Sequence, residues 1–349
     1  MKSSLVPDIV TRFSTPASTL RVRKELEKAN LELASGRHAD MGLELGGRSG
    51  VLVSARSQSA LLEGLKTDAS ISAGRLQTIQ LSLDMAAEGA QSFLESLMPL
   101  KSGQVPPEQV ASHARMLLGE FTSAINAASQ GSYVFGGKNI AEKPLTEYFS
   151  SPPSDARMAV ENAFTARFGV PPSDAATASI TAADMADFLD NDLAALFESP
   201  QWESLWSNAT DDSLMALVSL NDVVAATDSA NNPAIRKLEM AYVMIAGLGI
   251  AELNAAARDE VVKRAMSAVG DGIAGIDRMR GDIGFREERI SRVQERLELQ
   301  GKMVDKEIAG MEQVDLHEVA VRVNDLSLQL ETSYSLTGRL QKLTLLSFL

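Results

Sequence analysis

The chain contains no cysteine, which excludes disulfides, thiolate metal sites and cysteine nucleophiles and leaves the fold to hold by packing alone. Aromatic residues make up only 5% of its 349 positions, a composition closer to long helices than to a β-sandwich or an α/β enzyme. No stretch approaches the ~20 apolar residues of a membrane span. Residues 1–16 hold one lysine and no apolar run long enough for the core of a cleaved signal peptide. Positive charge is also scarce: 33 Lys and Arg against 46 Asp and Glu leave a net charge of −13. That balance disfavours phosphate-backbone binding and sets nucleic acid aside as a partner.

Signatures of chemistry are missing as well. His38, His113 and His317 lie far apart, with no H-E-x-x-H spacing, so no metal is expected. Gly247-Leu-Gly249-Ile-Ala-Glu252 begins like a dinucleotide loop but ends in glutamate, with no strand of the right pattern before it; it reads as a joint between helices. Neither G-x-x-x-x-G-K-[ST] nor G-x-S-x-G occurs, so no phosphate cradle or nucleophile elbow can be placed. No enzyme and no cofactor are expected. Glu287-Glu288, among Arg286, Arg289 and Arg292, reads as a salt-bridged, solvated helix face. Asn208-Ala-Thr210 fits the glycosylation triplet, a match that three residues often make by chance. Trp202 and Trp206, four apart, read as the core of a small domain.

What the chain does have is two heptad runs, one near each end. Alternating steps of four and three from Val51 pass through Leu62, Leu65, Leu76, Ile79, Leu83, Phe93 and Leu97. The second run starts at Val262 and passes through Ile276, Met279, Ile283, Ile290, Val293, Leu297, Val304 and Met311. A period of 3.5 keeps an apolar seam on one side of a helix, and such a seam is buried by another long helix. At 1.5 Å per residue the runs would be roughly 70 and 75 Å long, which suggests that they pair with each other. The expected fold is mainly α: a long antiparallel coiled-coil rod formed by the N- and C-terminal segments, with a small mixed α/β domain inserted between them.

Punctuation divides the chain further. Pro7 and Pro16 make residues 1–16 a poor helix, and a first helix reads over residues 17–35, stopped by Gly36. Pro99 closes the first long run, and Pro106-Pro107 opens a helix with Val110, Ala114, Leu117, Phe121, Ala124 and Ala128 at heptad spacing. Heptads vanish over residues 131–232, where helices are predicted near 154–168 and 181–197 and paired strands around 202–207 and 214–226. Asn232-Pro233 starts the next helix, and Gly281 and Gly284 are weak points within the second run. Past Met311 the apolar phase slips near Asp315. The resulting plan is an assembly segment (1–45), half of the rod (46–130), an inserted domain (131–232), the other half (233–313) and a terminal assembly helix (314–349). Leu20, Leu26, Leu31 and Leu33 near the start are the expected assembly interface, with Leu316, Val319, Val323, Leu326, Leu330, Leu336, Leu340, Leu343 and Leu346 near the end.

Both ends resemble the bacterial flagellin family. The N-terminal side is carried by Leu31-Glu-Leu-Ala-Ser35-Gly36-Arg37 and by Gln77 to Leu97 with Ala86-Ala-Glu-Gly89-Ala90. The C-terminal side is carried by Val314-Asp315-Leu316-His317-Glu318-Val319-Ala320, Leu326-Ser-Leu-Gln329-Leu-Glu-Thr-Ser333 and Leu343-Thr-Leu-Leu-Ser347-Phe-Leu349. Within the family, Gly131-Ser-Tyr133-Val-Phe135-Gly136-Gly137 followed by Lys143-Pro144-Leu145 is similar to a motif of hook–filament junction proteins, and Ser229-Ala-Asn231 adds to it. One loop departs: His38-Ala-Asp40-Met-Gly-Leu-Glu-Leu-Gly-Gly stands where filament flagellins are richer in Asp-Asp-Ala-Ala. The resemblance implies a non-enzymatic, extracellular subunit joining the flagellar hook region to the filament. It also implies a ring of identical copies, contact with hook-associated protein 1 and flagellin, an export chaperone, and type III export on an uncleaved N-terminal signal. A filament flagellin and, from another class, a cytoplasmic coiled-coil adaptor are the alternatives.

Overall fold

The computed structural model describes the backbone of residues 5–346 and the side chains of residues 17–339. The chain forms two compact units, Met1–Glu63 with Leu299–Leu349, and Gly64–Glu298.

In the first unit, α1 (Leu5–Ser35) begins well before the expected start and runs through both prolines. Pro7 falls in the first turn, where backbone N–H groups lack helical partners anyway, and Pro16 removes one intrahelical bond without ending the helix. Gly36, with φ +70°, stops α1 by donating its N–H to the Glu32 carbonyl at 2.8 Å. Asp40 then caps the short α2 (Met41–Leu45), accepting from the Leu43 N–H at 3.0 Å. α3 (Ser49–Lys101) gives its first turns to this unit, as α9 (Ala255–Glu312) gives its last. The expected slip near Asp315 is a helix break: the Asp315 carboxylate accepts from the N–H groups of His317 (2.8 Å) and Glu318 (3.3 Å), starting α10 (Leu316–Leu346). α1 and α10 pack antiparallel, with Gly36 beside Val314 and Glu32 beside Arg322. Val22 and Ala29 meet Val319 and Leu326, and Leu26, Val314, Val323 and Leu330 close around them.

In the second unit, the remaining lengths of α3 and α9 run antiparallel, tied by Arg280 Nε to Asp84 Oδ1 at 2.6 Å. Their seams are closed: Leu65, Leu76, Ile79, Leu83, Phe93 and Leu97 on α3 are buried, as are Ile276, Met279, Ile283, Ile290, Val293 and Leu297 on α9. α4 (Pro107–Ile125) packs on α8 (Pro233–Gly247), whose Tyr242 ring lies 4.7 Å from Phe93 and 5.7 Å from Phe121. Gly281 and Gly284 do not interrupt α9, which stays helical through both. The glycines that shape the packing are Gly272 and Gly275. A Cβ there would stand 2.5 Å from Leu238 and from the Ala234 Cβ, so their bareness lets α8 lie against α9.

Between α4 and α8 the chain forms a two-residue hairpin, β1 (Ala128–Ser129) with β2 (Ser132–Tyr133), then short helices and a second hairpin. α5 (Asp155–Phe168) is capped by Ser154, and α6 (Ala182–Asp187), capped by Thr181, continues as a π-turn over Phe188–Leu193. The predicted strand at 202–207 is instead a helix, α7 (Gln201–Leu205). A spacing of four puts both tryptophans on one face in a helix or in a strand, and both are buried here; the helix is set by the Trp206 N–H, which donates to the Trp202 carbonyl at 3.0 Å. The other predicted strand region, 214–226, is itself a hairpin, β3 (Met215–Ser219) paired with β4 (Asp222–Ala225). Arg286 and Arg289 do not form the purely solvated face that the sequence suggested; they reach Asp228 and Asp222 and tie this hairpin to α9.

Candidate assembly surface

The two stretches that carried the junction-protein motif meet in the second unit. Ala230 N–H donates to the Phe135 carbonyl (2.8 Å), Asp228 N–H to Val134 (2.9 Å), and Gly137 N–H to Asp228 (2.9 Å). Glycine is required at both positions of the pair. A Cβ on Gly136 would lie 2.0 Å from the Asn139 carbonyl, and one on Gly137, at φ +64°, 2.2 Å from that of Thr210. Asn231 then knits the neighbourhood: its Oδ1 accepts from Trp202 Nε1 (2.9 Å) and Ser207 Oγ (2.6 Å), and its Nδ2 donates to the Ala209 carbonyl (3.1 Å) and Asp211 (2.7 Å). Leu145 completes the motif, exchanging both backbone bonds with the Asn126 side chain at 2.8 and 2.9 Å. The glycosylation triplet is taken up by structure, since Asn208 Nδ2 donates to Lys143 and Thr210 Oγ1 accepts from the Lys138 N–H.

In the first unit, the expected interface residues divide into two sets. Leu26, Val319, Val323, Leu326 and Leu330 are spent inside the protomer, where they join α1 to α10. Leu20, Leu31, Leu316 and Leu336 are more than half exposed, and Leu33 is exposed too. Val321, Leu328 and Tyr334 extend this uncovered set along α10. The side chains of Leu340, Leu343 and Leu346 lie outside the described residues. Among the seam residues of this unit, Leu62 and Val304 are buried and Met311 is half-buried. Each exposed leucine covered in an assembly would contribute about 2 kcal/mol.

Sequence reasoning missed the two charges that organise this surface. Glu32 and Glu312 are each 2% exposed. Glu312 receives Arg56 Nε at 2.8 Å and Arg37 at 3.3 Å, while its backbone carbonyl accepts the His38 N–H at 2.9 Å. Glu32 accepts the Ala39 N–H at 3.1 Å and faces Lys28 and Arg322 at 3.8 and 3.7 Å. Burying these carboxylates is affordable only with such partners. A glutamate in place of an apolar residue near the seam was the available signal. The three histidines are not gathered, and no cluster of three His, Asp or Glu that could hold a metal occurs among the described residues. No helix among them is long and apolar enough to cross a membrane.

Two chain ends that pair, are locked by buried charge, and still present uncovered leucines define a structural building block. Known families identify it: the bacterial flagellin N-terminal helical region matches residues 11–140 and the flagellin C-terminal helical region matches residues 266–349. The chain belongs to the bacterial flagellin family and is a structural component of the flagellum. No curated protein matches the sequence. Among solved structures it is similar to a putative flagellar hook-associated protein from Vibrio parahaemolyticus. There the TM-score is 0.50 at 11% identity, over 76% of this chain and 97% of that one. It is also similar to FlgL of Bacillus cereus, with a TM-score of 0.49 at 10% identity over 72% and 97%. At such identity the first of these likenesses is one of fold.

Proposed function

We propose that this chain is the subunit joining the flagellar hook region to the flagellin filament. The observation that carries the reading is the site built by Gly136-Gly137 and residues 229–231. There the motif similar to that of junction proteins is a folded unit, with two glycines that nothing bulkier can replace. The hook-associated neighbour from Vibrio parahaemolyticus, with the same fold, supports it. In this reading identical copies form a ring through the leucines that α1 and α10 leave exposed, with hook-associated protein 1 on one side and flagellin on the other. A chaperone holds the chain before type III export, and the subunit performs no catalysis.

Electron microscopy of a strain lacking the gene, with flagellin assayed in the medium, tests the role. Hooks without filaments and flagellin released into the medium are expected. Intact filaments would overturn it, and purified protein that polymerises alone would make it a filament flagellin.

A further inference from the structure

Glu239 lies on the face of α8 turned into the second unit and is 1% exposed, yet its Oε2 has no hydrogen-bond partner. Two hydroxyls nearby share that condition. Tyr242, three positions on, and Tyr148, stacked 5.5 Å from Trp206, are both buried, and neither hydroxyl is paired. A buried, unpaired carboxylate is among the costliest groups a core can hold; the neutral acid costs far less. We propose that Glu239 is carried in the core as a neutral carboxylic acid, and that its ionisation is an alkaline trigger that loosens α8 from α4.

The surroundings fit a neutral group. The elements packed around α8 present few charges to it. α4 brings Glu120, which with Glu239 disfavours ionisation of Tyr242. α5 brings Glu161 and Arg157, which act on Tyr148 in opposite senses. On α8 itself, Lys237 is bound to Asp271 of α9 at 2.6 Å, and Arg236 lies one turn before Glu239. α3 presents Gly89 and Phe93, and its Asp84 is paired with Arg280 of α9. None of these stabilises the carboxylate, and burial alone pushes the Glu239 carboxyl up to about 8. An indentation of about 820 Å³ between α3 and α4 is lined by Gly89, Phe121 and both of the tyrosines that lack a hydroxyl partner, Tyr148 and Tyr242.

The sign follows from proton counting. Between about pH 5 and 8 the unfolded chain has lost this proton while the native chain keeps it, so stability falls as pH rises and levels off above pH 8. Both tryptophans of the chain, Trp202 and Trp206, lie in the second unit, so their fluorescence reads its unfolding by urea. Relative to Glu239→Gln, the wild-type unfolding constant should rise by about tenfold per pH unit over this window, with the two proteins nearly equal at pH 5. Infrared spectra of the full chain at pH 6 should show a protonated-carboxyl band that Glu239→Gln lacks and that wild type loses by pH 9. Parallel stability curves for the two proteins, or no such band, would overturn the proposal. Should the glutamine variant not fold, Glu239→Leu removes the same titration and is held to the same two readouts.

Discussion

Arg56 and Glu312, 256 positions apart in sequence, form a charged hydrogen bond of 2.8 Å between Nε and Oε1, with the glutamate buried and the arginine exposed. Arg37 adds a second guanidinium from the loop after α1, so one carboxylate binds that loop and the start of α3 to the end of α9. Glu312→Ala leaves two arginines that water can still solvate, and the expected cost is therefore about 2 kcal/mol, below that of breaking a fully buried pair. A double-mutant cycle with Arg56→Ala, followed by circular dichroism in urea, should return a coupling of about 1 kcal/mol. Strict additivity would show that the pair contributes nothing.

Val319 and Leu336 lie on one helix but face different demands. Val319→Asp places a charge in the packed contact between α1 and α10 and should cost about 3 kcal/mol or more, with loss of helix signal from the free protein. Leu336 is 53% exposed, so Leu336→Asp should leave the free protein's stability within about 0.5 kcal/mol yet prevent its incorporation into flagella. Normal incorporation of the Leu336 variant would remove this leucine from the proposed interface between copies.

Glycines within α9 should respond in opposite directions. Gly281 and Gly284 are exposed and a Cβ would meet nothing within 4 Å, so alanine at either should stabilise by about 0.5–1 kcal/mol through helix propensity. Gly275→Ala would drive a Cβ to 2.5 Å from that of Ala234, whose short side chain cannot turn away. Overpacking of about 1–3 kcal/mol should exceed the propensity gain. Chemical denaturation followed by tryptophan fluorescence distinguishes the two cases, and equal stabilisation at all three sites would refute the close contact.

Asn231→Ala should cost on the order of 3 kcal/mol, since it strands Trp202 Nε1 and the Ser207 hydroxyl in a buried setting. Its signature is an altered tryptophan emission in the native state. Unchanged emission and stability would mean that those donors find other partners.

Much of this architecture could be read from the chain because its signals are local or strictly periodic. The seam from Leu65 to Leu97 is buried at the positions its heptads named, and Ser154, Thr181 and Asn232 cap helices where short polar residues stand before helical runs. Where the reading failed, the deciding contact was distant. The spacing of Trp202 and Trp206 fits one face of a strand as well as one face of a helix, and the partners that bury them, Phe197 and Tyr148, are not visible in the local pattern. Gly272 and Gly281 look alike in sequence, and only α8 tells them apart. The leucines of α10 could be assigned to a sticky face, but not divided between those that hold α1 and those left over. That division depends on a register between segments roughly 300 residues apart, which a single chain's pattern does not reveal. The clasp at Glu312 escaped for the same reason.

The backbone bond from Val314 to Gly36, like the pairing of α1 with α10, joins segments that lie about 280 residues or more apart in sequence. Contacts of such separation form late, because the loop they close must first be delivered. The second unit is one unbroken stretch of sequence, whereas the contact of α1 with α10 must await the arrival of α10. In a polypeptide made N-terminus first, the side chains with which α1 packs on α10 therefore wait through most of synthesis for that contact. Arrival of α10 is then the event that permits closure of the first unit.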